Sequence, residues 1–423
     1  MTNDNMNIGE TIRAMGQNAY NVKFDLQSLS ENKKNEVLLK VADALTSSAE
    51  RILKANDIDI KSGEEKGMHE GLLDRLRLTT GRINDMAEGI RQVASLPDPI
   101  GTVLDDWNLE NGLNIKKISV PLGVIGIIYE SRPNVTADAF SLTFKTGNAV
   151  ILKGGSDAIN SNMVITDVIR EALENEGIDP NAIQLIPFTD RSAVKEMLSL
   201  REYIDVVIPR GSAGLIRMVC ENSRIPVIET GSGNCHIYVD KAADIEKAIT
   251  IIINAKTQRI GVCNAAESLV VHEDIKDAFL PRLSEAMKEN SVELRADEAS
   301  IKLLPGAKSA TEEDFGTEYL DYILSVKTVK SVEEAIAHIN KYNTKHSEAI
   351  ITEDKEAADK FLKGVDAACV YLNASTRFTD GFQFGFGAEI GISTQKLHAR
   401  GPMGLKELTS YKFNITGDGQ IRK

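Results

Sequence analysis

Cysteine and aromatic side chains are scarce in this chain of 423 residues. It has four cysteines, none in a Cys-x-x-Cys pair, and 5% aromatic residues with a single tryptophan. Four thiols do not make the disulfide framework of a small secreted protein, and they suit a reducing compartment. The six histidines contain no i,i+4 pair and no Cys-x-x-Cys partner, so we expect no metal site.

Long apolar runs are absent as well. The longest, Gly123–Tyr129 and Ile249–Ala255, are far shorter than the ~20 residues that span a bilayer. The segment Met1–Gly9 has no basic stretch followed by an apolar one, so it predicts neither a secretory signal nor a transit peptide. We therefore expect a cytoplasmic protein without a membrane partner.

The chain also lacks a basic excess. It has 49 Lys and Arg against 62 Asp and Glu, a formal net charge of −13, and no basic stripe. Such a field repels nucleic acid, so we expect no nucleic-acid partner, and anions must be bound by local groups such as the amides at helix starts. A hydrophobic fraction of 42% indicates a globular protein, and its length predicts two or three domains.

From Ser119 onward, short β-type runs alternate with helical stretches. The predicted strands are Ile125–Tyr129, Ala149–Lys153, Ile183–Pro187 and Asp205–Ile208, then His236–Val239, Ser268–His272, Tyr322–Thr328 and Cys369–Asn373. This rhythm predicts right-handed crossovers on largely parallel sheets that bind ligands at the carboxyl ends of their strands. We expect two α/β domains, with the helix-rich first hundred residues packed outside the first sheet.

Two segments fit neither domain. Gly112–Val120 and Leu408–Ile415 alternate apolar and polar residues in the way that edge strands do, although they lie far apart in sequence. They predict a two-stranded flap. Because an isolated ribbon is marginal in water, we expect this flap to pair with another subunit.

Cys263 lies on the connection between a predicted helix, Asp244–Gln258, and the predicted strand that follows it. Arg259 could supply a positive charge and Asn264 a hydrogen-bond donor, and both would favour the thiolate. A catalytic thiol and an ordinary loop cysteine fit these residues equally well.

Two glycine turns follow predicted strands and precede predicted helices. One begins at Lys153 (Lys-Gly-Gly-Ser-Asp-Ala), with its helix starting after Asn160, and the other is Pro209–Arg217. Each offers free amides at a helix start, where a phosphate is stabilised by the helix dipole. Neither completes a G-x-G-x-x-G or P-loop pattern, and a simple turn with a Ser N-cap is the alternative.

A third glycine-rich segment, Glu229–His236, joins the two halves of the chain. Glu229 is a candidate base, or it simply caps or salt-bridges at a strand end. His236 adjoins Cys235, but neighbours in a strand point to opposite faces, so we expect His236 to be a structural histidine.

Three segments carry a resemblance to a known family: the surroundings of Cys263, Tyr129–Asp138, and Cys235–Asp240. With them the chain resembles the γ-glutamyl phosphate reductase family of the aldehyde dehydrogenase superfamily. The resemblance implies an aldehyde dehydrogenase-like α/β fold, with two Rossmann-like domains plus a β-ribbon oligomerisation flap. The implied bounds are 1–111 and 121–231 for the NADP-binding domain, 232–405 for the catalytic domain, and 112–120 and 406–423 for the flap.

The resemblance also implies an oxidoreductase of proline biosynthesis. Its members reduce L-glutamyl 5-phosphate to L-glutamate 5-semialdehyde and phosphate with NADPH. By the resemblance Cys263 is the nucleophile, which expels phosphate and forms a thioester. Where the superfamily uses an Asn side chain at the oxyanion, this chain has Arg132, with Asn134 two residues on, and either could serve.

The implied cofactor is NADPH/NADP. Lys153 matches a lysine that bonds the adenosine ribose, and Ser156 replaces a glutamate that would repel the 2′-phosphate. Gly211 and Ser212 match residues beside the pyrophosphate, and Glu313 one near the nicotinamide ribose. Glu229 matches a hydrolytic base, which a thioester made from an acyl phosphate does not need.

Two rival functions stay open in the sequence. One is a CoA-acylating aldehyde dehydrogenase, and the other a non-catalytic cofactor-binding subunit. The expected partners are L-glutamyl 5-phosphate as substrate, further copies of the chain in a homo-oligomer, and a glutamate 5-kinase as a candidate supplier of the unstable acyl phosphate.

Overall fold

A computed structural model describes residues 8–422 of the chain. Residues 1–7 of the predicted cofactor domain and Lys423 of the predicted flap lie outside the described residues. The helices are α1 (Ile8–Ser28), α2 (Glu31–Ser47), α3 (Ala49–Glu65), α4 (Glu70–Leu76), α5 (Thr80–Ser95), α6 (Asn134–Lys145), α7 (Ile159–Asn175), α8 (Ser192–Ser199), α9 (Ala213–Asn222), α10 (Ile245–Thr257), α11 (Lys276–Glu289), α12 (Val332–Tyr342) and α13 (Lys355–Gly364). The strands are β1 (Val103–Asn108), β2 (Asn114–Pro121), β3 (Val124–Tyr129), β4 (Ala149–Lys153), β5 (Ile183–Leu185), β6 (Val206–Arg210), β7 (Cys235–Val239), β8 (Ala266–His272), β9 (Glu293–Ala296), β10 (Lys308–Ser309), β11 (Ile323–Val329), β12 (Ser347–Ile351), β13 (Cys369–Leu372), β14 (Ile392–Ser393), β15 (Gly401–Pro402) and β16 (Thr409–Thr416).

The described residues form two compact units. The first contains the chain up to Glu229, Phe386–Gly391, and the residues from Met403 onward, while the second contains Thr230–Gly385 and Ile392–Pro402. Both have parallel sheets with helices, so the predicted α/β class is confirmed. The division into cofactor domain, catalytic domain and oligomerisation flap assigns roles, and it stays a prediction. Within 8–422, no helix combines the length and apolarity needed to cross a membrane.

The main sheet of the first unit has four parallel strands in the order β5-β4-β3-β6. Its inner strands β3 and β4 are buried along their whole length, which explains their continuous apolar sequences. Helix α1 packs against β4, and α2 and α5 pack against α6, as expected for helices outside the sheet. From β3 the chain passes to β4 and β5 on one side and then to β6 on the other. The strand order therefore reverses between β3 and β6, where sheets of this kind bind ligands at their carboxyl ends.

Side chains from elsewhere in the first unit fix the turn that enters β3. The amide of Gly123 donates to Asn148 Oδ1 at 2.7 Å, and the amide of Val124 donates to Asp205 Oδ2 at 2.8 Å. Asp205 also pairs with Lys23 at 3.3 Å. Gly123 has φ +126, and a Cβ there would lie 2.1 Å from Asp205 Oδ2. Glycine is therefore required for both its conformation and its small size.

The two predicted flap segments pair with each other as antiparallel strands β2 and β16. The prediction of only two strands was wrong, since β1 pairs antiparallel with the other side of β2. The sequence of β1, Val-Leu-Asp-Asp-Trp-Asn, does not alternate apolar and polar residues, and almost all of it is exposed. That pattern explains why it was missed.

The second unit is built on a seven-stranded parallel sheet in the order β10-β9-β11-β8-β7-β12-β13. Helices α10 and α11 pack on one hydrophobic core, and α12 and α13 contribute to another. The predicted strands correspond to β7, β8, β11 and β13. Strands β9 and β12 were not predicted, because Glu-Leu-Arg-Ala and Ser-Glu-Ala-Ile-Ile carry charged residues within short runs.

Gly123→Ala should destabilise the protein much more than Gly177→Ala. Both glycines have positive φ, but a Cβ at Gly177 would meet nothing within 4 Å. Gly177→Ala should cost only the ~1–2 kcal/mol of strained backbone. Gly123→Ala should cost about 2 kcal/mol more, because Asp205 must give up its hydrogen bonds. Thermal melting compares the variants, at roughly 2–4 °C per kcal/mol, and equal falls in Tm would contradict this account.

Candidate active site

Cys263 is half-buried on the irregular loop between α10 and β8, so its predicted position between helix and strand is confirmed. Because the loop precedes β8, the thiol lies at the amino edge of the second sheet. This differs from the expectation that ligands meet the carboxyl ends of strands. The carboxyl-edge rule describes open turns after strands, and here the nucleophile is presented by a turn before one.

The main chain of Cys263 is held from the segment that begins β7. A Cβ on Gly233 would lie 1.4 Å from the Cys263 carbonyl oxygen, so only glycine fits there. The same oxygen accepts a hydrogen bond from Cys235 Sγ at 3.1 Å. Burial raises the pKa of the Cys235 thiol well above its usual value, so this sulfur keeps its proton and remains a donor.

The side chain of Asn264 does not donate to the thiolate in the way that the sequence suggested. Its side-chain Nδ2 donates to the carbonyls of Thr379 at 2.9 Å and Arg377 at 3.3 Å, so both N–H groups are used. In return, Thr376 Oγ1 donates to the Asn264 carbonyl at 2.7 Å. The prediction that Asn264 offers a donor to the thiolate is therefore wrong, and Asn264 instead joins the nucleophile loop to residues 376–379.

A buried ion pair closes the base of this loop. Lys256, in the last turn of α10, lies 2.5 Å from Glu267 of β8, and neither side chain has any exposed surface. Burial raises the pKa of Glu267 to about 7, against the lowering effect of Lys256. The backbone amide of Leu320 satisfies the other carboxylate oxygen at 3.2 Å. Removing one partner would leave a buried charge without compensation, at a cost of about 3–5 kcal/mol.

Two arginines accompany Cys263 in this unit. Arg259 is exposed on the loop itself, as the sequence indicated. Arg377, which the sequence analysis did not identify, is half-buried, and its Nε donates to Gln258 Oε1 at 2.9 Å. Burial and the charge of Arg259 lower the pKa of the Arg377 guanidinium, while Cys263 and Asp380 raise it. The guanidinium is thus within electrostatic reach of the nucleophile.

His236 is buried and bonded, as expected of a structural histidine. Its Nδ1 lies 3.1 Å from Glu348 Oε2, and its amide donates to the same oxygen at 2.7 Å. Among residues 8–422, no three His, Cys, Asp or Glu side chains are grouped so that they could hold a metal ion. Glu313 is exposed at the start of a 3₁₀ turn, Asp314–Gly316, in the second unit.

In the first unit, Lys153 ends β4, and its Nζ donates to the Gly154 carbonyl at 2.8 Å. Burial lowers the pKa of this ammonium group. The next two glycines are tightly packed, since a Cβ on Gly154 would lie 2.3 Å from Asn162 Nδ2 and one on Gly155 would lie 3.2 Å from the Ser131 amide. This turn therefore lies against the chain that leaves β3.

Ser156 is exposed and begins a 3₁₀ turn, Ser156–Ala158, which continues into α7. The helix therefore starts earlier than the predicted point after Asn160. The neighbouring Asp157 accepts a hydrogen bond from Ser131 Oγ at 3.1 Å and lies 3.8 Å from Lys66 Nζ. The turn thus carries a carboxylate, Asp157, with Lys66 as its partner. This carboxylate lies one residue after Ser156, the position that the sequence analysis considered.

Gly211 and Ser212 follow β6 at the start of α9, and a carboxylate already occupies this helix start. Glu130, directly after β3, accepts from the Ser212 amide at 3.1 Å and from Ser212 Oγ at 2.6 Å. A Cβ on Gly211 would lie 2.6 Å from the carboxyl carbon of Glu130. The structure therefore brings the turns after β3, β4 and β6 together at one edge of the first sheet, and sequence reasoning missed the carboxylate at their centre.

Arg132 and Asn134 also belong to the first unit. Arg132 is exposed, and its amide donates to the Glu130 carbonyl at 2.6 Å. Asn134 begins α6, and its Nδ2 donates to Asp138 Oδ2 at 3.0 Å. Burial raises the pKa of Asp138 to about 6, although Asn134 and Arg210 oppose the shift. One of the two N–H groups of Asn134 is therefore engaged within its own helix.

Glu229 is the last residue of the first unit before the chain enters the second. Burial raises the pKa of the Cys220 thiol to about 12, and a hydrogen bond to the Glu229 carboxylate adds to that shift. Glu229 is thus engaged by a neighbour in α9, and its role stays a prediction.

Comparison with known proteins covers nearly the whole chain. Residues 6–314 and 302–413 match the model of the aldehyde dehydrogenase family. The γ-glutamyl phosphate reductase of Lachnospira eligens is 57% identical, over 98% of this chain and 100% of that protein. The crystal structure of γ-glutamyl phosphate reductase from Thermotoga maritima has a TM-score of 0.96 at 51% identity, over 97% of this chain and 100% of that one.

An acetylating aldehyde dehydrogenase from Geobacillus thermoglucosidasius has a TM-score of 0.69 at 18% identity, over the full length of both chains, and shares the fold alone. The aldehyde dehydrogenase-like fold expected from the sequence is therefore confirmed. The chain belongs to the aldehyde dehydrogenase family and, within it, to the γ-glutamyl phosphate reductases.

Proposed function

We propose that this enzyme reduces L-glutamyl 5-phosphate to L-glutamate 5-semialdehyde and phosphate with NADPH, through a thioester on Cys263. The observation that carries the proposal is the identity of 57% over 98% of the chain to a protein named for this substrate. The rival CoA-acylating function rests on likeness at 18% identity. A non-catalytic subunit would not need a half-buried thiol on so constrained a loop.

Cys263 performs covalent catalysis in this proposal. Its thiolate forms a bond to the acyl carbon, and the bond from that carbon to the phosphate oxygen breaks, so phosphate leaves with the electron pair. The hydrogen bond from Cys235 Sγ to the Cys263 carbonyl holds the main chain of the loop. Arg132 and the remaining N–H of Asn134 are the proposed donors to the oxyanion.

The first unit has the features that a dinucleotide requires. Its strand order reverses between β3 and β6, and the Gly154–Gly155 and Gly211 turns lie at the carboxyl edge there. The Glu130 carboxylate at the start of α9 shows that this helix start accepts an anion. When bound, NADPH would supply a hydride.

The proposed contacts of the cofactor follow from these turns. Gly211 and Ser212 would bind the pyrophosphate, and Lys153 and Ser156 the adenosine ribose with its 2′-phosphate. Lys66, which lies 3.8 Å from Asp157, would supply a positive charge to that phosphate and offset the Asp157 carboxylate. Glu313 of the second unit would bind the nicotinamide ribose. A cytoplasmic location and a glutamate 5-kinase partner are part of the same proposal.

Cys263→Ser should lower semialdehyde-dependent NADP reduction, measured with phosphate, by at least about a thousandfold, because an oxygen ester forms and reacts far less readily. NADPH binding, followed by cofactor fluorescence, should stay unchanged. Cys369→Ser is the matched control at a buried cysteine on β13 and should keep turnover within about threefold of the wild type. Near wild-type turnover of Cys263→Ser would end the thioester mechanism.

Glu130→Gln should tighten NADPH binding. The neutral amide competes less well than a carboxylate for the start of α9, and a charge at a helix terminus is worth about 0.3–1 kcal/mol, or roughly two- to fivefold in Kd. Fluorescence titration measures the change. Glu221→Gln removes the same charge near the other end of α9. This control should leave the affinity for NADPH unaltered or slightly lower. Weaker binding by Glu130→Gln would mean that Glu130 supports the cofactor rather than competing with it.

A homo-oligomer would use the sheet of β1, β2 and β16. Tyr411, Phe413 and Ile415 lie on one face of β16 and are 51%, 50% and 60% exposed. Changing Tyr411 and Phe413 together to Ser should yield smaller particles in light scattering, because their burial is lost. Lys412→Ser, on the opposite face, should not. A wild-type chain that is monomeric at micromolar concentration would refute this interface.

A further inference from the structure

Arg377 lies on a 3₁₀ turn, Thr376–Phe378, that is joined to the nucleophile loop. Thr376 Oγ1 donates to the Asn264 carbonyl, and Asn264 Nδ2 donates back to the Arg377 carbonyl. These bonds involve the main chain of Arg377 and the side chains of its neighbours. Arg377 therefore lies on a turn that is bonded to the residue next to Cys263, and its guanidinium is not needed for that link.

In the part of the chain that the structure describes, this guanidinium hydrogen-bonds to a neutral partner. Its Nε donates to Gln258 Oε1 at 2.9 Å, and within residues 8–422 no carboxylate lies within ion-pair distance of it. Asp380 acts on it only from farther away. A half-buried cation left in this state loses hydration without gaining an ion pair, which is unfavourable unless a bound anion completes it.

The surrounding charges also favour an anion here. Arg259 on the loop is also positive, and after burial its charge is a further cause that lowers the pKa of the Arg377 guanidinium. A guanidinium presents parallel N–H groups that match the two oxygens of a carboxylate or a phosphoryl group. Arg259 carries the same group but is exposed, whereas Arg377 is half-buried and therefore pays more for an unpaired charge.

We propose that Arg377 binds an oxyanion of the substrate next to Cys263. The inference rests on the proposed function, because L-glutamyl 5-phosphate carries two such groups, its phosphoryl group and its α-carboxylate. Binding at either would hold the acyl carbon against the thiol, and in the first case Arg377 would also stabilise the departing phosphate.

Thiol alkylation tests the anion site without cofactor or substrate. The ratio of the rates at which iodoacetate and iodoacetamide modify Cys263, followed by mass spectrometry, cancels the thiolate fraction and leaves the preference for a negative reagent. Arg377→Gln should lower this ratio about three- to tenfold, because a charge-assisted contact is lost. Arg377→Lys should restore part of it, and Arg282→Gln, at an exposed arginine on α11 paired with Glu246, should not change it. An unchanged ratio in Arg377→Gln would overturn the proposal.

Kinetics then distinguish the two anions. In the oxidative direction, Arg377→Gln should raise the KM for phosphate at least about tenfold if the phosphoryl group is bound. If the α-carboxylate is bound, the KM for the semialdehyde should rise instead. The preference of the enzyme for the semialdehyde over butanal, which lacks that carboxylate, should then fall. Unaltered KM values for both, with an active wild type, would refute the site. A wild type without phosphate-dependent oxidation would refute the proposed function, and the alkylation ratio would still decide on Arg377.

Discussion

The main-chain groups of the loop before β8 need partners, and the candidate active site depends on how they are supplied. An irregular, partly buried loop cannot leave its carbonyls unpaired without a cost comparable to that of lost hydrogen bonds. Here the Cys263 carbonyl receives Cys235 Sγ, and the Asn264 carbonyl receives Thr376 Oγ1. The reactive sulfur takes no part in these contacts. The backbone of the loop is thus held by contacts that do not use the sulfur, which is the kind of support that a nucleophile needs.

Much of the fold was predictable, because continuous apolar runs identify strands that helices cover on both faces. The segments that became β3 and, up to Lys153, β4 are of this kind. The strands that escaped prediction are short, exposed or charged, as β1 and β12 are. In β12 the acidic residue is Glu348, which is buried and is met there by the ring and the amide of His236. Such compensation joins residues that are distant in sequence, and no local pattern reveals it.

The candidate site was predicted in part for the same reason. The position of Cys263 between a helix and a strand was predictable from local patterns, as were the glycine turns after strands, whereas its role as nucleophile came from the family resemblance. Glu130 and Arg377 were not, because their importance arises from contacts with Ser212 and with the nucleophile loop that only the folded chain creates. Asn264 shows the converse error. Its place next to the nucleophile suggested that it donates to the thiolate, although its side-chain amide already donates to the carbonyls of Arg377 and Thr379.

The order of the elements along the chain also affects how the protein is made. Strand β16, almost at the end of the chain, pairs with β2, and Asn148 Nδ2 donates to the Leu408 carbonyl across 260 residues. The first unit therefore cannot be completed on the ribosome until the whole second unit has been translated. Until then β2 lacks β16 and exposes the edge that β16 will cover, which invites pairing with other nascent chains. At translation rates of about 5–20 residues per second this state lasts many seconds, and throughout it the first unit is incomplete while the second is being translated.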